Sequence, residues 1–336
     1  MHEVTTQQHS GEALRPDEPM AQLERYRVEL TAYCYRMLGS AFEAEDAVQE
    51  TLLRAWRGFD RFEARASLRS WLYRIATNVC LDMLKGRERR ARPMDLGGPG
   101  TADGPLGEAL PEVTWLQPIP DGRVLPVERS GDPAELAEQR ESIRLAFVAA
   151  LQHLAPRQRA VLILREVLRW KASEVAELLD TTVASVNSAL QRARATLAAH
   201  PVTDDGWHEP LDENQRNLLA RYIRAFESYD MDSLTSLLRE DATWNMPPYE
   251  LWLQTHDDIR RWCLGPGIGC EGSRLVPVVA NGSPAFGQYK PDPNGGYEPW
   301  SLQVLELSGG RISGITFFLD TDTLFPLFGL PLRFEG

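Results

Sequence analysis

Residues 154–197 read LAPRQRAVLILREVLRWKASEVAELLDTTVASVNSALQRARATL, which has the pattern of a helix-turn-helix. Pro156 suits the first turn of a helix, because its missing N–H would be unpaired there in any case. The triplet Asp180-Thr-Thr182 predicts a capping turn ahead of a last helix. Along that last helix, one buried stripe is expected from Val186, Leu190, Ala193 and Leu197.

The outward face of this last helix carries side chains suited to reading DNA. Hydroxyl and amide groups near a helix start can approach base edges, and arginines farther along can reach guanine or phosphate. The candidates for contact are Thr182, Ser185, Ser188, Gln191, Arg192 and Arg194. The alternative is a helical hairpin that packs and binds no nucleic acid.

Charge favours the DNA-binding interpretation. The 336-residue chain has a net charge of −12, yet residues 140–200 carry +4 and residues 182–197 hold no acidic residue. The acidity resides in residues 93–139 at −7 and residues 201–336 at −10, while residues 1–92 carry +1. This distribution predicts weak binding to free DNA and help from a partner.

Length and composition bound the remaining possibilities. The length predicts two or three domains. No run approaches the roughly twenty apolar residues of a spanning helix, and the polar N-terminus is unlike a signal peptide, so a cytoplasmic protein is expected. The cysteines Cys34, Cys80, Cys263 and Cys270 are scattered, which predicts reduced thiols and neither a metal nor a cofactor.

The N-terminal part predicts disorder over residues 1–20, then helices over about 21–38, 42–58 and 67–84. In the second helix, a core stripe is expected from Val48, Leu52, Ala55 and Trp56. The other faces carry Asp46, Gln49, Glu50, Leu53 and Arg54, a mixture that suits a protein interface. A merely solvated helix face is the alternative.

The third helix combines aromatic and basic side chains. Trp71 lies near Arg69, Arg74 and Asn78, and Phe62 precedes them in a charged loop. Such a set can stack on unpaired bases and hold their phosphates. The alternative is a packed Trp and Tyr in a small helical core.

Three segments in order resemble an extracytoplasmic-function (ECF) sigma factor, the family that directs bacterial RNA polymerase core to promoters. They are EDAVQETLLRAW at 45–56, SWLYRIATNVCLD at 70–82 and LAPRQRAVL at 154–162, which runs on to Leu197. The resemblance covers residues 21–200 and implies a region 2 helical bundle over 21–92 and a region 4 helix-turn-helix over 136–200.

The resemblance also implies roles for the residues named above. Asp46, Gln49, Glu50, Leu53 and Arg54 would bind polymerase core, whose partner surfaces lie on the β′ and β subunits. Region 4 would read the minus-35 element through its last helix. Contacts with the minus-10 element, which region 2 melts while capturing a flipped base, would come from Arg61, Phe62, Arg65, Arg69, Trp71, Arg74 and Asn78.

The two DNA-binding blocks are joined by an acidic linker rich in Gly and Pro, residues 93–135. Its composition is typical of disorder. In sigma factors the corresponding linker threads the polymerase cleft. The apolar run Val113-Thr-Trp-Leu-Gln-Pro-Ile119 predicts that part of this linker docks on a surface.

Residues 211–336 follow a short linker, 201–210, and predict a separate α+β domain. Two helices, over about 212–227 and 231–238, precede a strand at 242–246 and a helix at 257–263. Further strands are expected at 273–280, 285–289, 300–307 and 311–319, between Gly-rich turns. This order, with the phrase DATWNM at 241–246, resembles the cone-shaped SnoaL-like fold. The expected fold class is multidomain, with two all-α sigma domains followed by an α+β cone.

The cone is expected to enclose a pocket for a small-molecule ligand, lined by Trp244, Tyr249, Trp262, Phe286, Trp300 and Phe317. Met246, Trp252 and Tyr289 are further aromatic or apolar candidates. Catalysis would need an acid or base inside the cone, for which His256, Asp320 and Asp322 are the candidates. Sigma factors that carry this module are taken to be regulated by it in cis, and Trp207 is a candidate latch.

The sequence leaves three functions open. The first is a sigma factor, without catalytic chemistry, that needs polymerase core and is controlled by its own cone. The second is a ligand-responsive regulator that binds duplex DNA by itself. The third is a SnoaL-like enzyme fused to a DNA-binding module, which would need turnover that depends on His256 or Asp320.

Overall fold

The computed structural model describes residues 17–62, 67–126, 133–199, 211–333 and 335. Its N-terminal bundle consists of four helices. The helices are α1 (Asp17–Glu24), α2 (Arg27–Leu38), α3 (Ala41–Gly58) and α4 (Leu68–Met83). The prediction of one helix over 21–38 is wrong, because the chain turns at Tyr26 and α1 packs separately on α3. The buried side chain of Leu23 anchors that contact.

The helix-turn-helix domain has the predicted order and is preceded by two further helices. The linker holds α5 (Asp121–Val124), and the domain then comprises α6 (Pro133–Glu141), α7 (Leu145–Gln152), α8 (Pro156–Leu162), α9 (Ala172–Leu178) and α10 (Val183–Ala198). Pro156 stands in the first turn of α8 as expected. The Thr182 hydroxyl caps α10 by accepting a hydrogen bond from the Ser185 N–H at 3.1 Å.

The N-terminal bundle and the helix-turn-helix domain share one hydrophobic core, in what we call the closed arrangement. Helix α2 packs against α7 and α8, and α4 packs against α8 and α9. The buried Arg36 donates from Nη2 to the Ser142 hydroxyl at 2.6 Å, and Arg159 donates to the Met37 carbonyl. Burial lowers the pKa of both guanidinium groups to about 10, so they remain charged at neutral pH.

The C-terminal domain, which we call the cone, is α+β as predicted. Its helices are α11 (Glu213–Glu227), α12 (Met231–Ser236), α13 (His256–Leu264) and α14 (Thr321–Leu327). Its strands are β1 (Leu238–Asn245), β2 (Trp252–Leu253), β3 (Arg274–Ala280), β4 (Ser283–Pro291), β5 (Tyr297–Ser308) and β6 (Arg311–Phe318). They form one sheet in the order β2-β1-β6-β5-β4-β3, in which only the β1 and β6 pair is parallel.

The linker is ordered over residues 93–126, although its composition predicts disorder. Residues 97–110 lie along the cone: the Gly100 N–H donates to the Trp252 carbonyl at 2.8 Å, and the Leu110 N–H donates to the Pro248 carbonyl at 2.9 Å. The predicted apolar run then docks on the N-terminal bundle, where the Gln117 N–H donates to the Gly39 carbonyl at 3.0 Å. Backbone groups satisfied in this way explain why a Gly- and Pro-rich segment is fixed.

Gly39 is a point at which the bundle, the linker and the helix-turn-helix domain meet. It ends α2 with φ +72°, and a Cβ there would lie 2.6 Å from Leu116 Cδ2 and 3.3 Å from Gln152. Gly39→Ala is therefore expected to lower the free energy of unfolding by about 2 kcal/mol, from the left-handed backbone and the clash together. Chemical denaturation of the full chain measures this change.

The matched control is Gly86→Ala. Gly86 has φ +70°, and no described atom lies within 4 Å of its added Cβ. This variant carries the backbone strain without the clash, so a loss of about 1 kcal/mol is expected. Equal losses in the two variants would contradict the role given to the Leu116 contact.

Among the described residues, none of the helices combines the length and the apolar character needed to cross a bilayer.

Candidate functional site

The exposed side of α3 brings together the residues predicted to bind polymerase core. Asp46, Gln49, Glu50, Leu53 and Arg54 recur at helical spacing, and each is exposed or half-buried. Arg54 Nε donates to Glu50 Oε1 at 2.6 Å. An exposed ion pair of this kind contributes little to stability, so the two side chains are available to a partner.

Trp56 belongs to this exposed side and not to the core. Its side chain is 47% exposed, so the prediction that it continues the buried stripe of Val48, Leu52 and Ala55 is wrong. The helical period explains the error, because Trp56 lies one turn after Leu53 and two turns after Gln49. A large exposed aromatic beside a polar and charged face is typical of a binding anchor.

The described residues that are predicted to contact the minus-10 element lie along α4 and just before it. The Phe62 and Trp71 rings stack with centroids 5.0 Å apart and planes inclined by 29°. Asn78 is exposed on α4. The side chain of Arg61 and the whole of Arg65 lie outside the described residues.

Arg69 and Arg74 are already engaged in the closed arrangement. Arg69 pairs with Glu29 at 3.0 Å and lies 5.6 Å from the centre of the Trp170 ring. Arg74 Nη2 donates to the Glu177 carbonyl at 3.1 Å. Since Trp170 and Glu177 belong to the helix-turn-helix domain, that domain contacts part of the predicted minus-10 surface.

The outer side of α10 carries the predicted minus-35 residues. Ser185, Ser188, Gln191 and Arg192 are exposed, while Val186, Leu190 and Ala193 are buried on the opposite side. Thr182 is also exposed, and its hydroxyl bonds to the Ser185 hydroxyl at 3.0 Å in the helix cap. Arg194 pairs with Glu166 at 2.6 Å.

The turn between β3 and β4 inserts Asn281 at the junction of all the domains. Asn281 is fully buried and has φ +56°, a conformation that asparagine tolerates better than most residues. Its Nδ2 donates to the Tyr35 hydroxyl and to the Ile143 carbonyl, each at 2.7 Å. Its Oδ1 accepts from the Ile119 N–H at 2.9 Å.

The partners of Asn281 come from three different parts of the chain. Tyr35 belongs to the N-terminal bundle, Ile119 to the linker and Ile143 to the helix-turn-helix domain. Burial raises the pKa of Tyr35, so its hydroxyl stays protonated and can donate onward to the Gln117 carbonyl at 2.7 Å. The sequence marks Asn281-Gly282 only as a turn, and its role at the junction had no local signal.

The cone holds a cavity of about 350 Å³. Five of the six predicted pocket residues line it: Trp244, Tyr249, Trp262, Trp300 and Phe317. The prediction for Phe286 is wrong, because its ring is buried against Tyr222, with centroids 5.7 Å apart. Met246 also lines the cavity, whereas Trp252 and Tyr289 bond to the Gly97 and Pro331 carbonyls instead.

The candidate acids and bases lie outside this cavity. His256 Nε2 is 2.8 Å from the Arg239 carbonyl, and Asp322 is exposed on α14. Asp320 borders a second cavity between linker and cone, where it accepts from the Thr323 hydroxyl at 2.5 Å. Trp207, the candidate latch, lies outside the described residues.

Comparison with known proteins identifies the two helical blocks. Residues 23–90 match the Sigma-70 region 2 family, and residues 144–197 match Sigma-70, region 4. The ECF RNA polymerase sigma factor SigG of Mycobacterium tuberculosis is 49% identical over 318 residues, covering 93% of this chain and 83% of SigG. The chain belongs to the ECF sigma factors. The SigJ protein of the same organism is 29% identical to this sigma factor over 272 residues, covering 77% of this chain and 78% of SigJ.

A solved structure supports the same architecture along most of the sigma factor. The crystal structure of Mycobacterium tuberculosis SigJ superposes with a TM-score of 0.58 at 23% identity, covering 93% of this chain and 99% of that one. The predicted fold class is therefore confirmed, with two helical sigma domains and a SnoaL-like α+β cone.

Proposed function

We propose that this sigma factor binds polymerase core through the exposed side of α3 and directs promoter-specific initiation. In this proposal α10 reads the minus-35 element, and α4 with the turn before it melts the minus-10 element. The support is that the α3 residues share one exposed side and that α10 presents polar and basic groups outward. The sigma factor would act in the cytoplasm by binding and strand capture, without a catalytic step.

The test is run-off transcription with purified core polymerase and the full chain. Promoter-specific transcript that requires both components is the expected result. Promoter binding by the chain alone, with no transcript gained on adding it to core, would favour a regulator that binds duplex DNA by itself.

The proposal includes regulation in cis by the cone. Two observations carry it. The helix-turn-helix domain contacts Arg69 and Arg74, and Asn281 of the cone bonds to both helical domains and to the linker. The Arg74 Nη2 donor cannot serve a phosphate while it bonds to the Glu177 carbonyl. In this proposal, opening frees both arginines for minus-10 recognition, and the cone opposes opening in the manner of an inhibitor built into the chain.

Arg192→Ala is expected to weaken binding of the holoenzyme to a promoter by about tenfold, because an exposed arginine on a recognition helix contributes about 1–3 kcal/mol. Binding to labelled promoter DNA at several salt concentrations measures the change and the number of phosphate contacts. Arg169→Ala is the matched control, since Arg169 is exposed in the same domain but lies outside α10, where it pairs with Glu138. Equal effects of the two substitutions would contradict the role given to α10.

A further inference from the structure

The linker forms part of the wall of the cone cavity. Gly104 and Leu106 of the linker border the cavity, facing side chains that belong to the cone. On either side of these residues the linker is tied down. The Ala102 N–H donates to Asp258 Oδ1 at 3.1 Å, and the Leu110 N–H donates to the Pro248 carbonyl at 2.9 Å. The cavity is complete only while the linker is docked.

The cavity is lined by neutral groups. Among the described residues that line it, none is an acid, a histidine, a lysine or an arginine. Burial raises the pKa of the Cys263 thiol to about 12, and burial also raises that of Cys270, so neither is a thiolate at neutral pH. The Lys290 Nζ lies 3.4 Å from the centre of the Trp300 ring but is not among the lining residues, so an ionic ligand would lose its hydration here without direct contact with a counter-charge.

Two polar side chains in the wall, Gln288 and Tyr229, are already hydrogen-bonded to the protein. Gln288 donates to the Ser273 hydroxyl and accepts from Ser301 and Gln303, at 2.8–3.1 Å. Tyr229 bonds to the Cys263 carbonyl at 2.7 Å. The wall mainly offers a ligand aromatic and apolar surface, such as the Trp244 and Phe317 rings, whose centroids are 4.4 Å apart.

We propose that the cavity binds an uncharged, apolar molecule that contains rings, and that this molecule acts as a co-repressor by holding the linker on the cone. The volume of about 350 Å³ is at the small end of the range for ligand pockets. The second half of the proposal rests on the proposed regulation in cis.

The ligand is expected to repress rather than activate because of the residues that it contacts. A ligand in the cavity contacts Leu106 only while the linker is docked, so it binds the docked state more tightly than the released state. The linker continues to Gln117, which bonds to Gly39 and Tyr35 of the N-terminal bundle. Stabilising the docked linker therefore stabilises the closed arrangement.

The binding test uses two probes with one skeleton and the full-length chain. N-phenyl-1-naphthylamine is neutral, and 8-anilinonaphthalene-1-sulfonate is its anionic relative; both fluoresce strongly in apolar surroundings. We expect saturable binding of one neutral probe per chain and affinity at least tenfold weaker for the sulfonate. No saturable binding of the neutral probe, or equal binding of the two, would overturn the proposed site.

Leu106→Trp locates the probe. The larger side chain fills the cavity from the linker side and leaves the cone core unchanged, so probe affinity is expected to fall at least tenfold. Leu96→Trp is the matched control, because Leu96 is an exposed linker residue outside this cavity. Unchanged affinity in Leu106→Trp, or an equal loss in both variants, would mean that the probe binds elsewhere.

Regulation is measured separately from binding. With saturating neutral probe, we expect amide hydrogen exchange over residues 97–110 to slow at least tenfold in the full chain, and run-off transcription to fall in the wild type but not in Leu106→Trp. Binding of the probe in the cavity without slower hydrogen exchange over residues 97–110 would refute the proposal that the ligand holds the linker on the cone. If exchange slows but the chain gives no transcript even without probe, the failure belongs to the proposed function and the ligand site stands.

Discussion

Reversing two of the carboxylates of α3, in the double variant Asp46→Arg and Glu50→Arg, is expected to lower promoter-specific run-off transcription about 100-fold. The two side chains lie on one exposed side of α3 with Leu53 and Trp56. Like-charge contacts across an interface cost several kcal/mol, and about 2.7 kcal/mol corresponds to 100-fold in affinity. Titration of labelled sigma factor with core polymerase measures the loss of binding directly.

The control carries the same change in charge at another place. Glu240 and Glu298 are exposed on the cone, so Glu240→Arg with Glu298→Arg changes net charge equally while leaving α3 intact. Transcription by this control should stay within about twofold of the wild type. The Glu50 and Arg54 ion pair is exposed, so its loss does not explain a large effect. Full activity of the α3 double variant would refute core binding through this helix.

Asn281→Gly is expected to open the closed arrangement. Glycine accepts φ +56° without strain, so this change keeps the turn and removes only the carboxamide that bonds to Tyr35, Ile119 and Ile143. Each buried group left unpaired costs about 1–3 kcal/mol, and a total of about 3 kcal/mol shifts the balance between closed and open forms by about 100-fold. Small-angle X-ray scattering should report a larger radius of gyration.

Transcription distinguishes the consequences of that opening. If the cone inhibits by holding the closed arrangement, Asn281→Gly should transcribe more than the wild type at limiting core polymerase. Asn294→Gly is the control, because Asn294 is exposed in another turn of the same cone. An expanded Asn281→Gly variant whose transcription is unchanged would refute inhibition by this junction, and an unexpanded one would refute its structural role.

Local patterns predicted much of the structure. Helical spacing predicted α3, α4 and α10 to within one residue or so, and the Gly-rich turns separated the strands of the cone. Predictions failed where contacts with residues distant in sequence determine whether a side chain is buried. By helical period, Trp56 fits the buried stripe as well as it fits the exposed side on which it lies. Phe286 fits the pattern of a strand that faces the cavity, but its packing against Tyr222 places the Phe286 ring in the core.

The closed arrangement was beyond prediction from one sequence. It depends on pairs such as Asn281 with Tyr35 and Arg74 with Glu177, whose members are separated by 246 and 103 residues. Nothing in the local sequence around either partner specifies the other. The aromatic side chains of the cavity could be predicted, yet the linker wall at Leu106 could not, because the composition of the linker is typical of disorder.

The docked linker sets the concentration of polymerase that the sigma factor needs before transcription begins. In sigma factors the corresponding linker threads the polymerase cleft; extending the proposed function in this way, residues 97–110 cannot lie in that cleft and on the cone at once. The cone is tethered to the linker by the same chain, so it competes at an effective concentration on the order of mM, whatever the amount of protein present. Polymerase is a competitor that arrives from solution. Activity therefore depends on the ratio between the affinity of the cone for the linker and the affinity of polymerase for it. A change in either affinity shifts the polymerase concentration at which transcription begins.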